Sequence, residues 1–174
     1  MAESAAANNH GTWYDVQVVS MARFCGRDEI ARQTLEHSLE RMETQFEADG
    51  RQPQELRRTK PLSYCIFNLR AWFDLACLAD GLGIDLWNYK ASDDQGLRLA
   101  LDAVLPYLLG EQSLDKPDIV PLSLDQVAQL LRRAYLAWGD EAYENRLQAF
   151  STRLDPVVMR RMNLLWPLPL DASS

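Results

Sequence analysis

Two histidines, His10 and His37, and three cysteines, Cys25, Cys65 and Cys77, are the chain's whole stock of imidazole and thiol groups. Zinc and iron sites draw such groups from short, recurring spacings, and no such spacing occurs, so the chain is expected to bind no metal. The cysteines make no close pair either. Cys65 and Cys77 fall on one expected helix, roughly 18 Å apart at 1.5 Å per residue, too far to bridge. Cys25 can reach one of them in principle, but buried free thiols are the preferred reading. No run of eighteen apolar residues exists, so nothing is expected to span a membrane. Residues Met1 to Ala7 have neither a basic n-region nor an apolar h-region, so no secretory signal is expected in them. Strand-period alternation of useful length is also missing. Positive charge is in deficit: 18 basic against 25 acidic residues give a formal charge of −7. That argues against nucleic acid as a partner.

What remains is ordinary globular composition, 47% apolar and 25% charged over 174 residues, enough for one domain with its own core. Apolar residues recur at three and four positions. A first helix is expected from Thr12 to Phe24, with Trp13, Val16, Val19 and Ala22 on its inner side, and a second behind an Asp28 cap as far as Ala48. A polar loop with Pro53 leads to Pro61, which opens the best-patterned helix, carrying Leu62, Cys65, Ile66, Leu69, Phe73, Ala76 and Cys77 up to Gly81. A short segment follows, Ile84 to Tyr89, with an exposed-looking Trp87. A helix from Leu97 ends at Gly110, and Pro106 is placed to bend it. Ser123-Leu124-Asp125-Gln126 has the form of a capping box ahead of a helix to Gly139. Asp140 caps a helix from Tyr143 to Leu154, a last short one begins at Pro156, and Trp166-Pro167-Leu168-Pro169 forms an extended strap. The pattern predicts an all-α fold of antiparallel helical hairpins, residues 1–174 forming a single domain.

Two stretches concentrate chemistry. The first is Asn8-Asn9-His10-Gly11-Thr12-Trp13-Tyr14-Asp15, at a helix entrance. The second is Arg57-Arg58-Thr59-Lys60, leading to Tyr64 and Asn68. From Arg51 to Arg70 five basic residues stand against the single acid Glu55, a local surplus on an acidic chain. Such a patch suits a small anionic group, or is simply a solvated basic face. A lone histidine is more often a structural hydrogen-bonder than a catalyst. Beside the Asn9 amide, Gly11 and the free N–H groups of a helix start, however, His10 favours an anion such as a carboxylate. The bland alternative is that Asn8 or Asn9 only caps the helix. A phenol titrates near pH ~10 unperturbed, and neighbouring guanidinium groups favour its phenolate, which is how Tyr64 becomes a proton-transfer group. A tyrosine between Leu62 and Ile66 can equally be core edge.

Amide and imidazole donors, an arginine and a tyrosine suit one reaction: removal of the proton alpha to a uronate carboxylate, followed by β-elimination of the glycosidic oxygen. The donors stabilise the enolate-like charge that develops. A hydrolase would instead need paired carboxylates.

The run Asn8-Asn9-His10-Gly11-Thr12-Trp13-Tyr14-Asp15-Val16-Gln17 resembles the Asn-Asn-His signature of the helical alginate lyase family. Pro53-x-Glu55-Leu56-x-Arg58-Thr59 followed by Tyr64 and Phe67-Asn68-Leu69 is similar to a second motif. Gly83-Ile84-Asp85-Leu86-Trp87-Asn88-Tyr89 and Leu105-Pro106-Tyr107 are similar to the family's downstream region. The likeness covers Asn8 to about Tyr107 and is thin beyond.

The resemblance implies a partial (α/α) toroid acting on acidic polysaccharide, alginate or a related polyuronate, without a cofactor. It implies Asn9 and His10 as the groups that neutralise the carboxylate, Tyr64 as general base and then acid, and an assisting arginine. Motif position favours Arg58, which precedes Thr59, over Arg57. Trp13 and Tyr14 offer faces for sugar stacking or for core packing, and Gln17 is placed to line the cleft. Relatives carry helices ahead of the Asn-Asn-His motif, so the chain reads as a C-terminal portion with exposed apolar surface. Periplasmic or secreted location is implied in the same way. The rival expectation is a non-catalytic helical module that binds acidic glycan or protein.

Overall fold

The structure is a computed structural model that describes residues 3–115 and 117–169. Among these residues every regular element is helical. They are α1 (Asn9–Phe24), α2 (Asp28–Gln45), α3 (Pro53–Leu56), α4 (Pro61–Asp80), α5 (Leu97–Leu108), α6 (Leu124–Trp138), α7 (Glu141–Phe150) and α8 (Pro156–Leu165), with 3-10 turns at Glu3–Ala5 and Ser151–Arg153. Prolines 53, 61 and 156 each open a helix, where their missing N–H costs nothing. Gly139 closes α6 at φ 66°, a left-handed conformation that glycine adopts without a Cβ penalty. No described helix is long and apolar enough to cross a membrane.

Several boundaries differ from the sequence expectation. The Asn8 side chain accepts a bond from His10 N, so α1 begins at Asn9 rather than Thr12. Asp28 is the first residue of α2 instead of its cap. The loop around Pro53 contains a helical turn, α3. The capping box at Ser123 is not made, since its side chain bonds no helix N–H. Asp140 and Asp155 do cap their helices, accepting from Ala142 N and Val157 N.

The chain divides into two compact units, Met1–Leu122 and Ser123–Ser174. In the first, α4 is central and packs against α1, α3 and α5, while α1 and α2 form a hairpin. Leu69, Trp72, Phe73 and Ala76 of α4 are fully buried. Each large side chain so removed from water contributes about 1.5–3 kcal/mol. The buried face of α1, by contrast, is largely polar: Asn9, Thr12 and Asp15 precede Val19 and Ala22 on it, and Trp13 and Val16 are only half-buried. The apolar stripe expected there is therefore rotated toward polar partners on α2 and α4. Thr12 Oγ1 donates to Asn68 Oδ1 at 2.8 Å, and Gln45 Nε2 donates to Thr12 Oγ1 at 3.0 Å and to the Asn8 carbonyl at 3.0 Å. Gln45 Oε1 accepts from Asn68 Nδ2 and Trp72 Nε1, each at 2.9 Å. Asp15 takes Arg41 Nε at 2.9 Å and Ser38 Oγ at 3.0 Å.

The same Arg41 reaches the carbonyls of Ser4 and Ala6, tying the segment before α1 to α2. A side chain at Gly11 would overlap the Arg41 guanidinium and the Ala6 carbonyl, so glycine is required by close approach. At the start of α4 the carboxylate of Asp118 accepts from Leu62 N at 2.8 Å and Ser63 N at 2.9 Å, and from the Ser63 hydroxyl. A residue more than fifty positions downstream thus supplies the cap that Lys60 does not.

Trp87 is anchored rather than exposed. Its ring meets Phe73 edge-on at 4.9 Å, and its Nε1 donates to Asp80 Oδ2 at 3.1 Å. Two of the three thiols lie at the surface, Cys25 and Cys77; only Cys65 is buried, and none forms a disulfide. Met21, Phe24 and Ile30 stand exposed near the turn between α1 and α2.

The second unit is built on Val127, Leu130, Leu131 and Ala134 of α6, with Tyr143 and Leu147 of α7 and Met162 of α8 buried alongside. Arg132 is 1% exposed. Its Nε and Nη2 grip both oxygens of Glu144, and its Nη1 donates to Asn163 Oδ1 and to the Trp166 carbonyl. The strap expected after α8 is held at its first residue by that last bond.

Candidate active site

The first turns of α1, the turn after α3 and the first turns of α4 surround an open cleft of about 520 Å³. Its lining comprises Asn9, His10, Trp13, Tyr14 and Gln17 from α1, Arg58 from the turn after α3, and Tyr64 and Phe67 from α4, with Glu3 at one side. The spacing explains the assembly. On α1, positions 10, 13, 14 and 17 fall at i, i+3, i+4 and i+7 and share one face. On α4, positions 64 and 67 do the same, and Pro61 starts that helix early enough to put Tyr64 in its first turn.

The structure thus brings Asn9, His10, Arg58 and Tyr64 to one cleft, together with Trp13, Tyr14 and Gln17. It leaves Arg57 out: that side chain is exposed and does not line the cleft. The basic patch seen in sequence disperses in the same manner. Arg51 pairs with Glu47 and Asp49 at the surface, so Arg58 is the cation of the segment that lines the cleft.

Each polar residue has a defined setting. The Arg58 guanidinium carbon lies 3.5 Å from the centroid of the Tyr64 ring, a close cation–π contact. Its Nη1 is buried, stands 3.6 Å from Glu55 Oε2 and has no hydrogen-bond partner. Asn9 is 2% exposed; its backbone N donates to Glu55 Oε1 at 2.7 Å and its Nδ2 to Glu55 Oε2 at 2.8 Å. His10 is exposed at the rim. The Trp13 ring packs on Phe67 with centroids 5.0 Å apart, and its buried Nε1 is likewise without a hydrogen-bond partner. One face of Trp13 is therefore committed to packing, whereas Tyr14 and Phe67 are 38% and 39% exposed.

Unpartnered donors beside an open cleft are what a site for acceptor-rich ligands looks like, because buried N–H groups are otherwise almost always bonded. Cys65 follows Tyr64, is buried, and lines a small cavity separate from the cleft. Burial pushes its thiol pKa up, and the negative charges of Glu55 and Asp118 add to the shift. It remains a thiol, unsuited to nucleophilic work.

Sequence reasoning noticed Glu55 as a lone acid in a basic segment and as a member of the second motif, and gave it no role. It also passed over Gln45 and Gln52, the latter 2% exposed and bonded to Asn68 Nδ2 at 3.0 Å. A signal did exist. Asn68 interrupts the apolar stripe of α4 between Cys65 and Trp72, and a carboxamide at a core position needs partners.

The Alginate lyase family model matches residues 1–114. Among solved structures the chain is similar to the crystal structure of an alginate lyase from Bacteroides ovatus, with 32% identity and a TM-score of 0.86. The alignment covers 96% of this chain and 44% of that one, so the chain spans less than half the length of the lyase it matches. The fold is that relative's: all-α, part of an (α/α) toroid of helical hairpins. No functionally curated protein matches.

Proposed function

The chain belongs to the alginate lyase family, and on that premise we propose that it cleaves alginate or a related polyuronate by β-elimination. Asn9 and His10 hold the carboxylate on C5 of the uronate, and Arg58 adds positive charge next to Tyr64. The Tyr64 phenolate takes the C5 proton. The electron pair left on C5 forms the C4–C5 double bond as the C4–oxygen bond breaks, and the Tyr64 hydroxyl returns a proton to the departing glycosidic oxygen. Withdrawal of charge into the held carboxylate is what makes the C5 proton removable, so donors aimed at that carboxylate lower the barrier. Tyr14 and Phe67 supply exposed ring surface for sugar faces. Residues 1–174 serve as one domain in this scheme, and an extracellular polymer as substrate places the protein in the periplasm or outside the cell.

The observation that carries the reading is the shared cleft. Residues separated by about fifty positions in sequence, Asn9 and His10 on one side and Arg58 and Tyr64 on the other, line it together. The test is to incubate the chain with alginate and follow the ultraviolet absorbance of the unsaturated uronate end. A rise that the Tyr64→Phe variant abolishes supports the lyase. Binding of alginate oligosaccharide with no unsaturated product, from this chain and from one extended upstream, would make the cleft a glycan-binding module instead.

A further inference from the structure

Glu55 is 1% exposed, on a helix of a single turn, and is not among the residues that line the cleft. Its two oxygens are nevertheless spent on the site: Oε1 accepts from Asn9 N at 2.7 Å, and Oε2 accepts from Asn9 Nδ2 at 2.8 Å and lies 3.6 Å from Arg58 Nη1. We infer that Glu55 is a positioning residue that fixes which end of the Asn9 amide is offered to ligand, a role that rests on the lyase reading above only for its kinetic consequence.

The argument is one of donors and acceptors. An ionised carboxylate only accepts, whereas a carboxamide has a donating end and an accepting end of nearly equal shape. Facing Glu55 Oε2, the amide of Asn9 must present its nitrogen, which removes the twofold ambiguity that an asparagine otherwise has. The second Nδ2 proton is then the donor left for an anion. Rotated by a half-turn, the same side chain would present Oδ1 and repel a carboxylate. The backbone bond adds a second constraint. Asn9 N is one of the first-turn N–H groups of α1 that no helical carbonyl can satisfy. By taking it, Glu55 joins the start of α1 to α3. The same carboxylate faces Arg58, whose guanidinium sits on the Tyr64 ring, so one buried acid sets the positions of two of the four proposed catalytic groups.

The test uses the full chain. In ¹H–¹⁵N spectra the Asn9 side-chain NH₂ pair, assigned by its loss in Asn9→Asp, is expected to be widely split and slow to exchange, and to collapse toward free-amide positions in Glu55→Gln. An Asn9 pair that already behaves as a free amide in the unaltered protein would overturn the proposal, whether or not any variant folds. Kinetically, Glu55→Gln is expected to lower kcat for alginate about 100-fold. The Glu55→Gln/Asn9→Ala double variant is expected to fall within about threefold of Asn9→Ala alone, because residues acting as one unit are not additive. Full additivity of the two losses, or a Glu55→Gln enzyme within about twofold of the parent, would show that Glu55 does not act through Asn9. If neither the unaltered chain nor the one extended upstream produces unsaturated uronate, the lyase reading fails, and the amide signals still decide the role of Glu55.

Discussion

Two arginines in this chain, Arg132 fully buried and Arg58 half-buried, are treated in opposite ways. Arg132 in the second unit has every nitrogen occupied: two grip Glu144, and the third holds Asn163 and the Trp166 carbonyl. Arg58 in the first unit meets Glu55 at ion-pair distance without a hydrogen bond, sits over the Tyr64 ring and keeps a buried nitrogen unbonded. A closed network around a charge gives a fixed structure. An unfinished one beside a cleft holds donors ready for a ligand to complete. The difference separates an arginine tied into the fold from one left open at the candidate site, although both are guanidinium groups facing a glutamate.

Substitutions can break or sharpen that contrast. The largest expected effect is on chemistry: Tyr64→Phe removes the proposed proton carrier, over whose ring Arg58 sits, and is expected to lower alginate turnover about 10²–10⁴-fold, with the melting temperature unmoved. Arg132→Met is expected to do the reverse. Leaving Glu144 without its cation, with only the Gln148 amide still donating to it, costs about 2–3 kcal/mol, read as a lower urea midpoint for the loss of helical signal. Arg58→Met should sit between them, lowering turnover about 100-fold while costing about 1–2 kcal/mol in the same urea titration, because Glu55 keeps both Asn9 donors. If Arg58→Met unfolds the chain as readily as Arg132→Met, the contrast collapses.

A smaller effect concerns pH. The Cys65 thiol is raised in the folded state above its ordinary value of 9.0. Below that value both folded and unfolded chains hold the proton, and the thiol contributes no pH dependence. Above it only the unfolded chain releases the proton, so stability is expected to fall as pH rises past 9.0. The Cys65→Ala variant, measured by urea titration across that range, is expected to lose this part of the slope. The smallest effect is expected at Arg57→Ala. This exposed side chain lies off the cleft, and the change should stay within about 0.5 kcal/mol in stability and twofold in turnover.

How much of this was legible follows from where the partners lie. His10 and Tyr64 were readable because unusual chemistry clusters within a few residues of each, and the spacing along a helix places such clusters on one face. The helices of α4 and α6 were readable from their apolar period. Glu55 was not, since its partner Asn9 is 46 positions away and the residues around it in sequence are basic. The inner face of α1 was misjudged because Trp13 and Val16 look like core. The buried positions instead go to Thr12 and Asp15, whose bonds to Asn68 and Arg41 no local pattern announces. Asp118 lay beyond reach for the same reason: it caps a helix that begins more than fifty residues before it. Local chemistry is written locally; the buried polar links that aim it are not.

The buried thiol next to Tyr64 has one more use. Cys65 is 1% exposed, lines a small cavity of about 130 Å³ with Gln52 and Leu62 that is distinct from the cleft, and is flanked by the bonds that hold α3 and the start of α4 together, including Gln52 Nε2 to the Cys65 carbonyl at 3.4 Å. An alkylating reagent too large for that cavity can reach it only while that region is open. With Cys25 and Cys77 replaced, the labelling rate of the remaining thiol becomes a clock for excursions next to Tyr64. Where reclosing is fast, the rate reports how often the open form is populated, and where labelling outpaces reclosing, it reports the opening rate itself. A saccharide that seats in the cleft and steadies Tyr64 would slow the clock, so occupancy could be timed at a sulfur atom the ligand never touches.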